Sequence, residues 1–209
     1  MTDIDHRLQK IYAASNTDEV ISTYDEWASD YDIDVLDSFG YVGPQMAVAT
    51  FVEHWDSQKS RIIDVGCGTG LVGQELRKAG FQHIDGLDIS REMLKKAFEK
   101  DVYDGYLKAD LIKGLDILSN SYDAVISAGT FTHGHVGPDG LDELVRITRP
   151  GGLICITINE GIFESQEFNA KFDALERSDA VTLLKQEKTE YLPREGIMGH
   201  VVLLRVHAL

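Results

Sequence analysis

The 209-residue chain is 43% apolar and 26% charged with only 4 prolines. That composition supports an ordinary core and excludes disordered, collagenous and disulfide-built classes. A formal charge of −15 argues against binding nucleic acid through its phosphates, which needs clustered Lys and Arg, and against an anionic membrane surface.

Residues 1–60 hold 12 acids against Arg7, Lys10 and Lys59, a balance of −9. This reads either as a solvated helical face or as a lid that prefers a cationic ligand. Within the segment Val20, Ile21, Tyr24, Trp27, Ala28 and Tyr31 share one helical face, with Asn16, Thr17 and Asp18 as capping candidates. After Gly43-Pro44, the spacing of Val48, Phe51, Val52 and Trp55 predicts a second helix. Residues 1–59 are therefore expected to form an N-terminal helical cap on a core spanning 60–209, together one domain.

From Arg61 the pattern alternates. Arg61 to Val65 predicts a strand, a glycine loop follows, and a helix runs from about Leu71 to Ala79. His83 to Leu87 is a second strand, ending at Asp88, and Ser90 caps the helix that carries Met93 and Leu94. Tyr106 to Ala109 and Tyr122 to Ser127 are further strands, and Asp139 opens a helix. Arg149 to Gly152 reads as a turn before the apolar strand Leu153 to Ile158. A helix over about 165–176 leads to two long runs, 181–192 and 199–207, joined by a short turn, which pair antiparallel. The expected fold is α/β: a Rossmann-like, seven-stranded, mostly parallel sheet with helices on both faces and a C-terminal antiparallel hairpin.

Asp64-Val65-Gly66-Cys67-Gly68-Thr69-Gly70 carries the densest signal, three glycines that let backbone approach a ligand between strand and helix. Gly68, Gly70 and Gly73 also have dinucleotide spacing, with Asp88 20 residues past Gly68. Asp64 separates the two readings, because a pyrophosphate on this loop would face a carboxylate that an ammonium-bearing cofactor would welcome. Asp64, Asp88 and Asp110 at three successive strand ends suit an amine, a ribose diol and an exocyclic amino group. S-adenosylmethionine has all three and no phosphate, and its sulfonium can sit beside aromatic faces.

On these residues the chain resembles the class I S-adenosylmethionine-dependent methyltransferases from about Tyr24 to the C-terminal hairpin. DVGCGTG looks like the family's first motif, GLDIS carries Asp88, KADL carries Asp110, and YDAVIS looks like its fourth strand. YDEWASDYD followed by Tyr41 and Pro44 is similar to the subgroup of the methyltransferase-like protein encoded in the Williams–Beuren syndrome chromosome region. The resemblance implies that Asp88 holds the ribose hydroxyls and that Asp110, with Leu111 beside it, meets the adenine amino group. Ile89 and Met93 would flank adenine, Ser127 would lie near the sulfur, and Tyr24, Trp27 and Tyr31 would line the methionine end, although such an aromatic stripe also reads as plain core.

His133 and His135 follow the fourth strand, and either could take a proton during methyl transfer, His133 being the named candidate. His-x-His without a further ligand at metal spacing predicts no metal. The expected reaction is methyl transfer from S-adenosylmethionine, leaving S-adenosylhomocysteine, to a small-molecule acceptor held between the cap, the loop around His133 and residues 159–167. A non-catalytic cofactor-binding module and an NAD(P)-dependent oxidoreductase are the rival readings. Two cysteines in apolar contexts, no basic leader and no membrane-length apolar run predict a soluble, cytoplasmic protein without nucleic-acid or membrane partners.

Overall fold

Short β-branched runs alternate with amphipathic helices, and in the computed structural model, which describes residues 7, 9–11, 14 and 16–208, they assemble into one seven-stranded sheet. The helices are α1 (Thr17–Trp27), α2 (Gly43–Val52), α3 (Leu71–Lys78), α4 (Arg91–Glu99), α5 (Gly140–Ile147) and α6 (Phe168–Arg177). The strands are β1 (Arg61–Val65), β2 (His83–Asp88), β3 (Gly105–Lys108), β4 (Tyr122–Phe131), β5 (Thr148–Asn159), β6 (Val181–Leu192) and β7 (Ile197–Val206). Their order is β3-β2-β1-β4-β5-β7-β6. Strands β1 to β5 pair in parallel, while β7 pairs antiparallel with both β5 and β6 and so runs against the rest. Chain direction across the sheet reverses between β1 and β4, the crevice where α/β sheets bind ligands.

The pleat of each strand divides the core. Ile63, Val65, Val125 and Ile154 face the side covered by Leu141 and Leu144 of α5 and Phe168 and Phe172 of α6. Ile62, Ala124, Ile126 and Cys155 face Phe51, Leu76 and Leu94 from α2, α3 and α4. A separate cluster joins Trp27, Val35, Phe39 and Tyr41 of the N-terminal region to Tyr191 and Leu192 at the end of β6. Among the described residues no helix is long and apolar enough to cross a membrane.

Several boundaries differ from the sequence-based expectation, each for a local reason. The first helix stops at Trp27, and Tyr31 opens a new helical turn that widens into a π-helical turn over Asp34–Ser38. Buried Asp34 accepts from Trp27 Nε1 at 2.6 Å and from Arg7 at 2.7 Å, which draws the chain inward there. Arg149 to Gly152 is not a free turn. It is a bulge inside β5, between the pairs Tyr122–Thr148 and Ala124–Leu153, with Arg149 paired to Asp123. The helix expected over 165–176 starts at Phe168, after left-handed Glu167 (φ 57°). A separate turn, Glu160–Phe163, precedes it, capped by Asn159, whose side chain accepts from Gly161 N–H at 2.8 Å.

Asp64 lies on the Ile62 face of β1, so the pleat turns its carboxylate away from the crevice. It is fully buried, accepts from the Tyr103 hydroxyl at 2.5 Å, and leaves Oδ1 without a partner. Burial pushes its pKa up to about 7 against the pull of the Tyr103 hydrogen bond. The carboxyl therefore keeps its proton in the folded protein up to about pH 7, well past the 3.8 of a free aspartate. Between those limits the native state binds the extra proton, so stability falls as pH rises through the window. Asp64→Asn, which keeps an acceptor for Tyr103, is expected to lose that fall in urea unfolding measured across the same pH range. The Tyr103 ring also packs on Gly86, where an added Cβ would come within 2.7 Å of Cδ2. Gly86→Ala should lower stability by about 1–3 kcal/mol in the same assay.

Candidate active site

The loop between β1 and α3 is held by the end of β2. The Leu87 carbonyl accepts from the N–H groups of Gly66 (2.8 Å) and Cys67 (2.9 Å), and Asp88 Oδ2 accepts from Gly68 N–H at 2.8 Å. Asp88 Oδ1 accepts from Ser90 N–H at 2.8 Å. Burial raises the Asp88 pKa and these backbone donors oppose that rise. Gly68 sits at φ +52°, and a Cβ there would meet no atom within 4 Å, so the loop backbone borders open space.

That space is a cavity of about 840 Å³, its open mouth included, at the β1/β4 crevice. The strand ends bring Gly66, Gly68, Asp88, Ile89, Met93, Asp110 and Leu111 to its wall, and Tyr24 and Tyr31 close it from the N-terminal side. Asp110 Oδ1 accepts from Ile112 N–H at 3.0 Å, while Oδ2 makes no hydrogen bond and has the exposed Lys113 ammonium 3.3 Å away. Among the described residues lining the cavity none is Lys or Arg. A wall with two carboxylates, an apolar slot and no cation suits a nucleoside and opposes a pyrophosphate.

The other candidates named from sequence stand outside this wall. Asp64 is below the loop. Cys67 is packed into the core on the α3 side, and Gly70, in left-handed conformation, caps α3. Thr69 donates to Asp32 Oδ1 at 2.5 Å. Ser127 donates to the Val65 carbonyl at 2.6 Å, joining β1 to β4. His133 packs against Gly161, where a Cβ would fall 2.2 Å from its Nε2. His135, not His133, lines the cavity, its ring 5.2 Å from that of Tyr24. Gly129 and Thr130 also line it. The sequence pattern ends the strand at Ser127 and makes these two residues loop, whereas β4 runs on to Phe131 and carries them to the wall.

Trp27 lines a second chamber of about 450 Å³, walled by Tyr24, Tyr31, Phe39, Tyr41 and Tyr191. Tyr24, Tyr31 and Gly129 border both spaces. Residues 159–167, expected to hold the acceptor, line neither; Tyr191 and Leu192 at the hairpin end stand there instead.

Four of the described acids of the N-terminal region, Asp25, Asp30, Asp32 and Asp34, hold particular donors rather than forming a loose solvated face. Asp25 accepts from Ser90 Oγ at 2.5 Å and from Glu92 N–H at 3.3 Å. Asp32 takes the Thr69 hydroxyl and, at 2.5 Å, the Lys100 ammonium. Arg7 bridges Asp30 and Asp34. The region is thus docked on the loops that form the cavity.

Residues 63–156 match the methyltransferase domain family. Methyltransferase-like protein 27 of Homo sapiens is 30% identical over 184 residues, which cover 85% of this chain and 74% of that protein. The malonyl-acyl-carrier-protein O-methyltransferase of Pectobacterium atrosepticum is 35% identical over 121 residues, 57% of this chain and 47% of that enzyme, so the match spans about half the relative's length. A chain in the complex between the Haloferax volcanii Trm112 methyltransferase activator and a putative methyltransferase shares the fold, with a TM-score of 0.68 at 21% identity, covering 88% of this chain and 98% of that one. Kinship along most of the chain, on a mostly parallel sheet with a cavity at its strand ends, shows that the protein belongs to the class I S-adenosylmethionine-dependent methyltransferases.

Proposed function

We propose that the protein methylates a small molecule that carries no anionic group, with S-adenosylmethionine seated in the acid-lined cavity and His135 taking the acceptor's proton. The observation that supports the cofactor's seat is the wall itself. Asp88, fixed by two backbone N–H groups, presents a carboxylate to a diol, Ile89 and Met93 supply an apolar slot for adenine, and Asp110, whose Oδ2 makes no hydrogen bond and pairs with the Lys113 ammonium, adds a second carboxylate for an amino group. The residues fit a nucleoside sulfonium. A dinucleotide would bring phosphates to a wall without a cation, which weighs against the oxidoreductase reading.

When bound, S-adenosylmethionine would supply an electrophilic methyl group to the acceptor heteroatom, with the C–S electron pair left on sulfur and the heteroatom's proton left for the protein to receive. Tyr24 and Tyr31 present aromatic faces to the cationic end. The docked N-terminal region shields the cavity from water and fixes the approach of the partners, a positioning effect that can be worth about 7–11 kcal/mol. His135 holds the proton. Burial lowers its pKa to about 4, opposed by a hydrogen bond with the Gly129 backbone, so the ring is neutral at pH 7. Its Nε2 has no hydrogen-bond partner and is available as a base.

Calorimetric titration tests the cofactor reading: S-adenosylmethionine and S-adenosylhomocysteine bind and NADH does not, and Asp88→Ala weakens both sulfur ligands by about tenfold or more. Binding of NADH alone would sink it. His135→Asn is expected to lower kcat by about 100-fold with the cofactor Kd unchanged, whereas His133→Asn changes neither. Wild-type activity should hold as pH falls until it nears about 4, where His135 gains its own proton; an unaltered kcat in His135→Asn would remove the base from the mechanism.

A further inference from the structure

The cofactor cavity leaves the second chamber unused, and its composition is unlike that of the first. Trp27, Phe39, Tyr41 and Tyr191 wall it together with Tyr24 and Tyr31, and no Asp, Glu, Lys or Arg is among the described residues that line it. Two of its hydroxyls meet at one end, and Thr132 also stands on its wall. The hydroxyls of Tyr41 and Tyr191 lie 3.4 Å apart, and a Cβ on Gly129 would come within 2.9 Å of the first and 3.7 Å of the second. Gly129 borders both spaces. The chamber is therefore ring-walled and without charged side chains among the described residues, with the Tyr41 and Tyr191 hydroxyls beside Gly129 at its junction with the cofactor cavity.

We infer that this chamber is the acceptor subsite and that it takes an uncharged aromatic hydroxyl or amine, ring inward and heteroatom at the Tyr41–Tyr191 junction. The inference rests on the cofactor reading above. Rings of this kind prefer offset or edge contacts with an aromatic guest, and the existing pairs already stand that way, Trp27 on Tyr31 at 4.9 Å and Tyr41 on Tyr191 at 5.2 Å. A carboxylate, such as a malonyl group carries, would be buried in the chamber without a cation or a helix end to compensate it. An ammonium would find no counter-charge either, and burial drives an amine toward the neutral form, which is also its nucleophilic form. Methyl transfer to a phenol balances: oxygen gains the methyl, sulfur keeps the C–S pair, and the phenolic proton passes to His135 as the positive charge leaves sulfur.

The test uses the full chain saturated with S-adenosylhomocysteine and two ligands of equal ring and tail length, para-propylphenol and para-hydroxyphenylpropionate, titrated calorimetrically. The phenol is expected to bind, and its carboxylated counterpart to bind more weakly by about tenfold or more. Tyr191→Ala should weaken the phenol by about tenfold while leaving S-adenosylhomocysteine affinity within about twofold. Leu192→Trp, which fills the chamber instead of emptying it, should do the same. Equal or tighter binding of the carboxylate overturns the substrate class. Phenol binding unchanged in both folded variants, or absent from the loaded wild type, overturns the subsite and leaves the cofactor reading standing. Failure of S-adenosylhomocysteine to bind at all overturns both.

Discussion

One backbone carbonyl organises the ligand-binding end of this molecule. Leu87, the penultimate residue of β2, accepts from both Gly66 and Cys67, and the next residue, Asp88, holds Gly68 through its carboxylate. The glycine loop is thereby fixed to a neighbouring strand rather than left to its own flexibility, and the side chain that fixes it also forms part of the cavity wall. Because β1, β2 and β3 are parallel, their carboxyl ends come out on one edge of the sheet, and no other arrangement would bring Asp88 and Asp110 to the same space. The loop, the slot between Ile89 and Met93, and the docking of Asp25 on Ser90 all follow from that edge.

The alternation of strands and helices was legible from Arg61 onward because β1 and β2 are short runs closed by a glycine or an acid, with amphipathic helices between the strands. The glycine loop and the acids at Asp88 and Asp110 were legible for the same reason, since chemistry and spacing coincide there. Asp64 shows where such reading stops. Its position in the motif names it a ligand residue, yet strand pleating sends it to the Tyr103 side, and Tyr103 lies 39 positions away in sequence. His133 and His135 could not be told apart either, since two residues in a loop have no periodicity to assign their faces. The Tyr41–Tyr191 pair spans 150 positions, and no local pattern announces a chamber built across such a distance.

The acid-rich N-terminal region answers a question that composition leaves open. Counted as charge it is an excess; seen in place, Asp25, Asp32 and Asp34 are acceptors for particular donors on the cavity loops and on Arg7 and Trp27. Carboxylates used in this way give directional, charge-assisted contacts that hold a mostly polar helix against the core, where apolar burial alone would be thin.

The two chambers share Tyr24, Tyr31 and Gly129 and otherwise draw on different parts of the chain. The rest of the first cavity's wall comes mainly from the ends of β1 to β4 and the loops after them, whereas Tyr191 and Leu192 of the second come from the last hairpin and Trp27, Phe39 and Tyr41 from the region before β1. Substitutions at the hairpin end, or at Phe39 and Tyr41, can therefore reshape the second chamber without touching the hydrogen bonds that Leu87 and Asp88 make to the glycine loop. Under the proposed assignment of the chambers, a lineage built on this plan is free to exchange one acceptor for another while its methyl donor stays the same, and its members should diverge fastest at the hairpin end and around Phe39 and Tyr41.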